Sequence, residues 1–279
     1  MRQRFLGHFI SQFSFSIFQY RMHHHITIGK QTIPVISQVV SQDTLDKVMT
    51  FQPFQDWVRT FDKEQIDHHE EMDVTEIDIQ NVDIFGSGKI GFVKFKVNVK
   101  LKATGQNAPG IVFMRGGAVS MMLLLQSEDD KTQDDKIILT LQPRIPVPSY
   151  NFPELPAGML DASGDFAGAA SKEIYEETGL TIHESELIDL TEKAYGDQWK
   201  GVYPSAGGSD EFLRLFLCYK KMKQQDIDAL EGKLTGLRQE GENITLRLVS
   251  FKDAWKSSPD AKLLCSLTLY AELKKLNLI

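Results

Sequence analysis

The stretch from Gly158 to Leu180 reads GMLDASGDFAGAASKEIYEETGL and carries the most informative pattern in the 279-residue chain. Glycine and aspartate residues follow Gly158 and predict a loop, after which a helix begins near Asp165 or Phe166. Gly179 is suited to the end of that helix, because glycine adopts the left-handed conformation of a C′ residue without steric strain. The pattern therefore predicts a loop followed by one helix.

Three glutamates, Glu173, Glu176 and Glu177, lie near the end of the predicted helix. Their i, i+3 and i+4 spacing places the three carboxylates on one face. Like charges at this spacing repel by roughly 0.2–0.5 kcal/mol per pair, and each carboxylate opposes the helix dipole by about 0.3–1 kcal/mol. A hard divalent cation such as Mg²⁺ offsets this cost, because it binds a few carboxylates together with waters and substrate phosphates. The cluster predicts a metal site; a solvated acidic helix end is the alternative interpretation.

The whole stretch resembles the Nudix box, G-x5-E-x7-R-E-U-x-E-E-x-G-U, in which U is a bulky aliphatic residue. The spacing matches from the first glycine to the last aliphatic position, and two positions depart from the pattern. Gly164 replaces the first box glutamate, and Lys172 replaces the arginine, which keeps the positive charge but loses the planar two-bond contact. In the family these two side chains brace the loop and the helix, so the resemblance implies that Asp165 takes over as the partner of Lys172.

The sequence just before the box resembles the ADP-sugar and ADP-ribose diphosphatase branch of the family. The run Glu154–Gly158 (ELPAG) precedes the box, and in that branch the backbone carbonyl of its alanine is a metal ligand. The run Leu139–Arg144 is similar to a strand of that branch that ends in a phosphate-binding arginine. A guanidinium suits a diphosphate geometrically; an ordinary surface arginine is the alternative interpretation of Arg144.

Two later segments match that branch more loosely. Pro204–Glu211 looks like its Ser-Pro-Gly-Gly loop beside the substrate, although Ala206 replaces the proline. The run Glu240–Ile244 resembles a mobile acidic loop that supplies a further metal ligand or base; an ordinary polar loop is the alternative. Trp199 and Tyr203 are candidates for stacking on adenine, with core packing as the alternative.

The resemblance implies a set of site residues and a reaction. Metal ligands are expected at Ala157, Glu173 and Glu177, substrate contacts at Arg144, Glu154, Gly207 and Gly208, and catalytic carboxylates at Glu242, Glu240 and Glu176. The expected cofactor is Mg²⁺, with Mn²⁺ as the alternative. The expected reaction is hydrolysis of the diphosphate of an ADP-sugar, ADP-glucose or ADP-ribose, to AMP and a sugar 1-phosphate. Glu242 is the first choice for the group that orients the attacking water.

Two other functions fit the same residues. The first is a Nudix hydrolase that acts on another nucleoside diphosphate derivative, such as NADH, coenzyme A or a dinucleoside polyphosphate. The second is a catalytically weak module that binds an ADP-sugar, which the departures at Gly164 and Lys172 suggest. The presence of all the expected metal carboxylates favours an enzyme.

The composition restricts the partners of the chain. Its net charge is −7, so it has no general electrostatic attraction for nucleic acid or for anionic membranes. The longest apolar runs, such as Ala118–Leu125, are far shorter than the roughly 20 residues that cross a bilayer. We therefore expect a small-molecule partner, a nucleoside-diphosphate sugar, and neither nucleic acid nor a membrane.

The chain divides into three predicted segments. Residues 1–30 form a leader, because no acidic residue occurs before Asp43 while Phe, Ser and Arg recur, as in an organellar transit peptide. A transit peptide implies a mitochondrial or plastid location; the alternative is cytoplasmic. Residues 31–110 form a small β-rich domain, which in the family branch pairs two subunits and so implies a homodimer. Residues 111–279 form the Nudix domain, an α/β/α sandwich around a mixed sheet.

Hydrophobic periodicity predicts the main elements. Alternating apolar residues and lysines predict a strand with a solvated lysine face at Val93–Lys102, and Pro53 divides the segment Thr44–Phe61 into two helices. Further elements are predicted as a hairpin of two buried strands, Ala118–Leu125 and Ile137–Leu141, two later strands, Phe212–Tyr219 and Ile244–Phe251, and a closing helix, Ala261–Leu276.

Overall fold

The computed structural model describes residues 22–86, 88–160, 165–237 and 241–279, and within these residues the chain forms two β-sheets flanked by helices. The strands are β1 (Met22–Ile28), β2 (Gln31–Ser37), β3 (Met72–Ile84), β4 (Ile90–Leu101), β5 (Ile111–Met114), β6 (Ala118–Ser127), β7 (Lys136–Arg144), β8 (Ser149–Glu154), β9 (Ala157–Met159), β10 (Ile188–Asp189), β11 (Leu213–Met222), β12 (Leu234–Thr235) and β13 (Ile244–Ser250). The α-helices are α1 (Gln42–Thr50), α2 (Gln52–Asp67), α3 (Phe166–Thr178), α4 (Leu190–Tyr195), α5 (Gln224–Asp228), α6 (Ala254–Ser257) and α7 (Ala261–Lys275). In this described part, no helix is long and apolar enough to cross a membrane.

The N-terminal sheet has five strands in the order β1-β2-β3-β4-β5. Strand β4 buries Val93, Phe95 and Val97 and exposes the intervening lysines, which confirms the predicted half-buried strand. Helices α1 and α2 pack on the buried face, and Pro53 stands in the first turn of α2, where its missing N–H costs no helix hydrogen bond. The predicted pair of helices is therefore confirmed.

The second sheet contains eight strands, six of them in the order β10-β11-β6-β7-β13-β12, with β8 on β7 and β9 on β6. It is mixed, because β11 runs parallel to β6 and the other pairs are antiparallel. The predicted hairpin of β6 and β7 is present but pairs only through Leu124–Ile137 and Leu125–Lys136. Beyond these pairs, β6 forms its backbone hydrogen bonds with β9, and β7 forms them with β8. Strand β9 therefore lies against the centre of the sheet.

Helices cover both faces of the second sheet. On one face, Leu190 of α4 and Leu263 of α7 pack into a core with β6, β7 and β11. On the other face, Ala170 and Ile174 of α3 pack with Ile227 of α5. The predicted α/β/α sandwich with a mixed sheet and an N-terminal β-rich region is confirmed.

The N-terminal sheet extends beyond the residues predicted for it. Strand β1 pairs along its whole length with β2, and β5 pairs with β4. The predicted limits at residues 30 and 110 therefore both fall inside this sheet, which runs from Met22 to Met114. Strand β1 was not predicted because three consecutive histidines, residues 23–25, occupy its first half and leave no clear apolar alternation. Residues 1–21 of the predicted leader lie outside the described residues.

Helix α3 has the ends that the sequence predicts. At its start, the Asp165 carboxylate accepts a hydrogen bond from the backbone N–H of Gly168 at 3.0 Å. At its end, Gly179 has a φ of 74° and donates its N–H to the carbonyl of Tyr175. Glycine is required at this position because a Cβ in the left-handed conformation meets the following carbonyl.

Substitution of Gly179 tests this helix end. Gly179→Ala should lower the free energy of unfolding by about 1 kcal/mol, since the left-handed cost of about 1–2 kcal/mol exceeds the gain from a stiffer unfolded chain. Urea denaturation measures this change. Gly86→Ala is the matched control, because it has an ordinary φ and no atom within 4 Å of the added Cβ. Equal stability of the two variants would contradict the prediction.

Candidate active site

Two carboxylates of helix α3 lie against the backbone of strand β9. Glu177 is 5% exposed, and its Oε2 accepts a hydrogen bond from the N–H of Ala157 at 3.0 Å. The Glu173 carboxylate lies over Gly158, so closely that a Cβ at position 158 would stand 1.8 Å from its Cδ. The C-terminal part of α3 therefore lies against the first glycine of the predicted box. The expected metal ligands Ala157, Glu173 and Glu177 lie close together.

Burial sets the proton affinity of these two side chains. The pKa of Glu173 is raised to about 7, chiefly by burial and also by the carboxylates of Glu176 and Glu242, against a lowering by Lys172. The pKa of Glu177 is raised to about 8, chiefly by burial; the Ala157 N–H acts against this rise, and several carboxylates add to it. The groups that act on Glu177 are Glu173, Glu154 and Glu242. The expected catalytic and metal-binding carboxylates of the described chain thus lie within electrostatic reach of one another.

The donor atoms suit a hard divalent cation. Within the described residues, no group of three or more His, Cys, Asp or Glu side chains is arranged to hold a metal by side chains alone. A metal at this place therefore needs backbone, water or substrate oxygens in addition to Glu173 and Glu177. Mg²⁺ is commonly bound in this manner, by one or two carboxylates with waters and phosphates, and the carbonyl of Ala157 lies on the same strand. The residues present fit such an ion.

Glu242 stands where the loop after β12 enters β13. Its Oε2 accepts from the N–H of Leu237 at 3.2 Å, and its own N–H donates to the Leu237 carbonyl at 3.2 Å. Gly236 and Gly241 have φ values of 87° and 88°, so glycine is needed on both sides of this turn. The turn places Glu242 near the α3 carboxylates, whereas Glu240 lies outside the described residues.

Arg144 and Glu154, both predicted to bind substrate, form an ion pair. The Nε of Arg144 donates to Oε1 of Glu154 at 2.6 Å, and the Arg144 side chain is 40% exposed while that of Glu154 is 4% exposed. The second oxygen of Glu154 accepts from Nζ of Lys262 at 2.8 Å. Burial lowers the pKa of Lys262, but Asp260 and Glu154 more than offset this and raise it above its usual value. Lys262 is therefore a buried, charged ammonium group.

The structure places Gly207 and Gly208 against the N-terminal sheet. The Gly208 carbonyl accepts from the N–H of Phe113 at 2.8 Å. Both glycines line a cavity of about 290 Å³ together with Trp57 and Phe61 of α2, whereas the α3 carboxylates contact β9. The substrate role of these two glycines stays a prediction.

Trp199 and Tyr203 contact each other at the protein surface. Their rings are 6.0 Å apart at nearly right angles, and Tyr203 also packs on Phe212. Trp199 is 51% exposed, so its ring is accessible to a ligand. Stacking on a base stays a prediction for both residues.

Comparison with known proteins identifies the family. Residues 114–267 match the model of the NUDIX domain, which covers more than half of the 279-residue chain. The chain belongs to the Nudix hydrolase family. It is 39% identical over 248 residues to Nudix hydrolase 14, chloroplastic, of Arabidopsis thaliana, covering 88% of this chain and 76% of that protein. A solved structure described as an ADP compounds hydrolase shares the fold, with a TM-score of 0.50 and 13% identity over 75% of this chain and 97% of that one.

The Nudix assignment defines the coarse chemistry. Nudix hydrolases act on small nucleotide derivatives and generally use divalent metal ions. The family match therefore confirms the predicted hydrolase and agrees with a metal at the carboxylate cluster.

Sequence reasoning missed an arginine beside the Nudix box. Arg115 lies just before β6, and its Nη2 contacts the sulfur of Met159, one residue after Gly158, at 2.8 Å. Its Nη1 pairs with Glu211 at 3.2 Å, and the Asp210 carboxylate accepts from the N–H of Arg115 at 2.9 Å. The signal in the sequence is the acidic pair Asp210–Glu211 at the end of the predicted loop Pro204–Glu211.

The close approach at Gly158 generates a test of the carboxylate geometry. Gly158→Ala should lower kcat/KM by roughly a hundredfold, because the added Cβ displaces the Glu173 carboxylate by about an ångström or more. The free energy of unfolding should change by about 1 kcal/mol or less, since the atoms that must move are the flexible end of a side chain. Steady-state kinetics and thermal melting measure the two effects, with Gly86→Ala as control. A folded variant with full activity would show that Glu173 is not needed where it lies.

Proposed function

We propose that this Nudix hydrolase cleaves the diphosphate of an ADP-sugar, ADP-glucose or ADP-ribose, to give AMP and a sugar 1-phosphate. The observation that carries the proposal is the juxtaposition of the α3 carboxylates on β9 with the Arg144–Glu154 pair, which Glu154 links electrostatically to Glu177. Two further observations support the choice of substrate: the ELPAG run before the box, and the fold shared with a protein described as an ADP compounds hydrolase.

The metal in this proposal is Mg²⁺, with Mn²⁺ as the alternative. Glu173, Glu177 and the carbonyl of Ala157 would hold it, with Glu176 close by. When bound, such an ion lowers the pKa of a coordinated water and neutralises charge on phosphate oxygens. Glu173 and Glu177 would bind and orient it.

Arg144 is the proposed diphosphate ligand. Its Nε is engaged by Glu154, which fixes the plane of the guanidinium, and its 40% exposure leaves the group open to solvent. Charge-assisted bonds from a guanidinium to phosphate oxygens are shorter and stronger than neutral ones. In this assignment Glu154 contributes to substrate binding by holding Arg144.

A late glutamate is the proposed base. The α3 carboxylates bind metal, so the group that takes a proton from the water has to come from another element. Glu242 is the first choice, because it is held by Leu237 at the entrance to β13 and lies near Glu173 and Glu177. Glu240 is the alternative.

Assembly and location follow from the family and the relative. We propose a homodimer paired through the N-terminal β-rich domain, which in the structure contains the sheet from Met22 to Met114. Sedimentation analysis of the purified chain tests this proposal. We also propose that the part of the leader before β1, residues 1–21, directs the chain to the plastid, because the relative is named as chloroplastic and this segment contains no acidic residue. A fluorescent fusion of this segment tests the location, with a mitochondrial or cytoplasmic signal contradicting it.

A screen of nucleoside-diphosphate compounds tests the proposed reaction. With Mg²⁺, ADP-glucose or ADP-ribose should give AMP and the sugar 1-phosphate by mass spectrometry, and chelation of the metal should abolish product. NADH, coenzyme A and dinucleoside polyphosphates form the comparison set. Preferred cleavage of one of these would reassign the substrate. Tight binding of ADP-sugars without turnover would identify a binding module instead.

Substitution of the late glutamates tests the base. Glu242→Gln should lower single-turnover rates at least roughly a hundredfold while KM changes little, because a proton acceptor acts in the transition state and not in binding. Glu272→Gln, an exposed glutamate of α7, is the matched control. An unaffected Glu242→Gln together with an inactive Glu240→Gln would transfer the role, and full rates in both variants would refute it.

A further inference from the structure

The C-terminal helix contributes a cation to the Arg144–Glu154 pair. Lys262, in the first turn of α7, donates from Nζ to Oε2 of Glu154 at 2.8 Å, across 108 residues of chain. The same Nζ lies 3.1 Å from Oδ1 of Asp260. The side chains of Lys262, Glu154 and Asp260 are 15%, 4% and 6% exposed, so this network is largely shielded from water.

Asp260 connects this network to the backbone next to Glu154 through hydrogen bonds. Its carboxylate accepts from the N–H of Lys262 at 3.1 Å, which caps α7, and from the N–H of Leu155 at 3.0 Å. Leu155 follows Glu154 and leads directly into β9. The start of α7 is thereby fixed against the segment that carries Glu154.

The two oxygens of Glu154 are shared between two cations. Arg144 bonds to Glu154 through Nε, although a guanidinium and a carboxylate prefer a fork of two parallel bonds. The second bond of the fork is not formed, and Oε2, the oxygen that it would use, accepts from Lys262 instead. If that oxygen were released, it would attract a terminal nitrogen of Arg144 and draw the guanidinium into a two-bond contact. The nitrogens proposed to bind the diphosphate would then be consumed inside the protein.

We propose that Lys262 is a positioning residue for substrate binding: by occupying Oε2 of Glu154, it restricts Arg144 to one bond with this carboxylate and keeps the terminal guanidinium nitrogens for a substrate phosphate. This inference rests on the proposed function, in which Arg144 binds the diphosphate. Lys262 itself touches no substrate. Its effect therefore concerns affinity and not the chemical step.

Removal of the ammonium group gives the first test. Lys262→Met should raise KM for the preferred ADP-sugar about tenfold, the loss of one charge-assisted bond to phosphate, and leave kcat within about threefold. The Kd of the non-hydrolysable methylene analogue of ADP-ribose should rise by the same factor. Lys275→Met, an exposed lysine of the same helix, is the control and should change neither constant.

A second substitution separates positioning from general stabilisation. In Glu154→Gln the amide oxygen can still accept from Nε of Arg144, but the amide nitrogen in place of Oε2 cannot accept a second bond. Adding Lys262→Met to Glu154→Gln should therefore leave KM unchanged, and the double variant should bind the analogue about as tightly as Glu154→Gln alone. A merely structural lysine would add its full cost in both backgrounds. This comparison holds even if Lys262→Met alone does not fold, because the double variant removes one charge of each sign.

The outcomes distinguish the inference from the function on which it rests. If Arg144→Met leaves KM and analogue binding unchanged, the proposed diphosphate ligand is wrong. If Arg144→Met weakens binding while folded Lys262→Met does not, the ligand stands and the positioning role of Lys262 is overturned. A tenfold effect of Lys262→Met that persists in the Glu154→Gln background also overturns it.

Discussion

The site depends on one contact, the approach of helix α3 to the backbone of strand β9. The N–H of Ala157 binds the buried Glu177, and the absence of a side chain at Gly158 provides the space for the Glu173 carboxylate. Both partners are anchored in the core, since β9 pairs with β6 and Ala170 and Ile174, beside the glutamates on α3, pack into the core. A rigid sheet and a rigid helix therefore set the distance between the carboxylates and the strand.

The carboxylates of the site differ in whether an internal cation contacts them. Glu154 receives an internal cation at each oxygen, from Arg144 and from Lys262. Burial among other carboxylates instead raises the pKa values of Glu173 and Glu177 to about 7 and about 8. Charge that is buried without a compensating cation is costly. This contrast supports the proposed metal-binding role of Glu173 and Glu177, because a bound cation would offset the cost of their charge.

Local patterns predicted much of this arrangement from sequence. The ends of α3 and the face shared by its glutamates depend only on the residue types and spacing within one short stretch. The contact of Glu173 with Gly158 was not predicted and is a finding of the structure. Contacts between distant segments were not predictable in this way. The Lys262–Glu154 bond joins residues 108 positions apart, and a lysine in an amphipathic helix is normally a solvated one. Gly207 and Gly208 were predicted by resemblance alone, and their position against the N-terminal sheet depends on how the sheets pack.

The two helix ends that flank the site break the same electrostatic rule. Glu177 stands in the last turn of α3, and Lys262 stands in the first turn of α7, so each charge opposes the dipole of its own helix. Both side chains are also largely shielded from water, at 5% exposure for Glu177 and 15% for Lys262, and an unfavourable charge is costly there. At Lys262 the compensation is internal, from Asp260 and Glu154. A local rule that is broken without local gain points to a functional constraint. In the roles proposed for them, Glu177 would bind the metal, and Lys262 would hold the residue pair that binds the diphosphate.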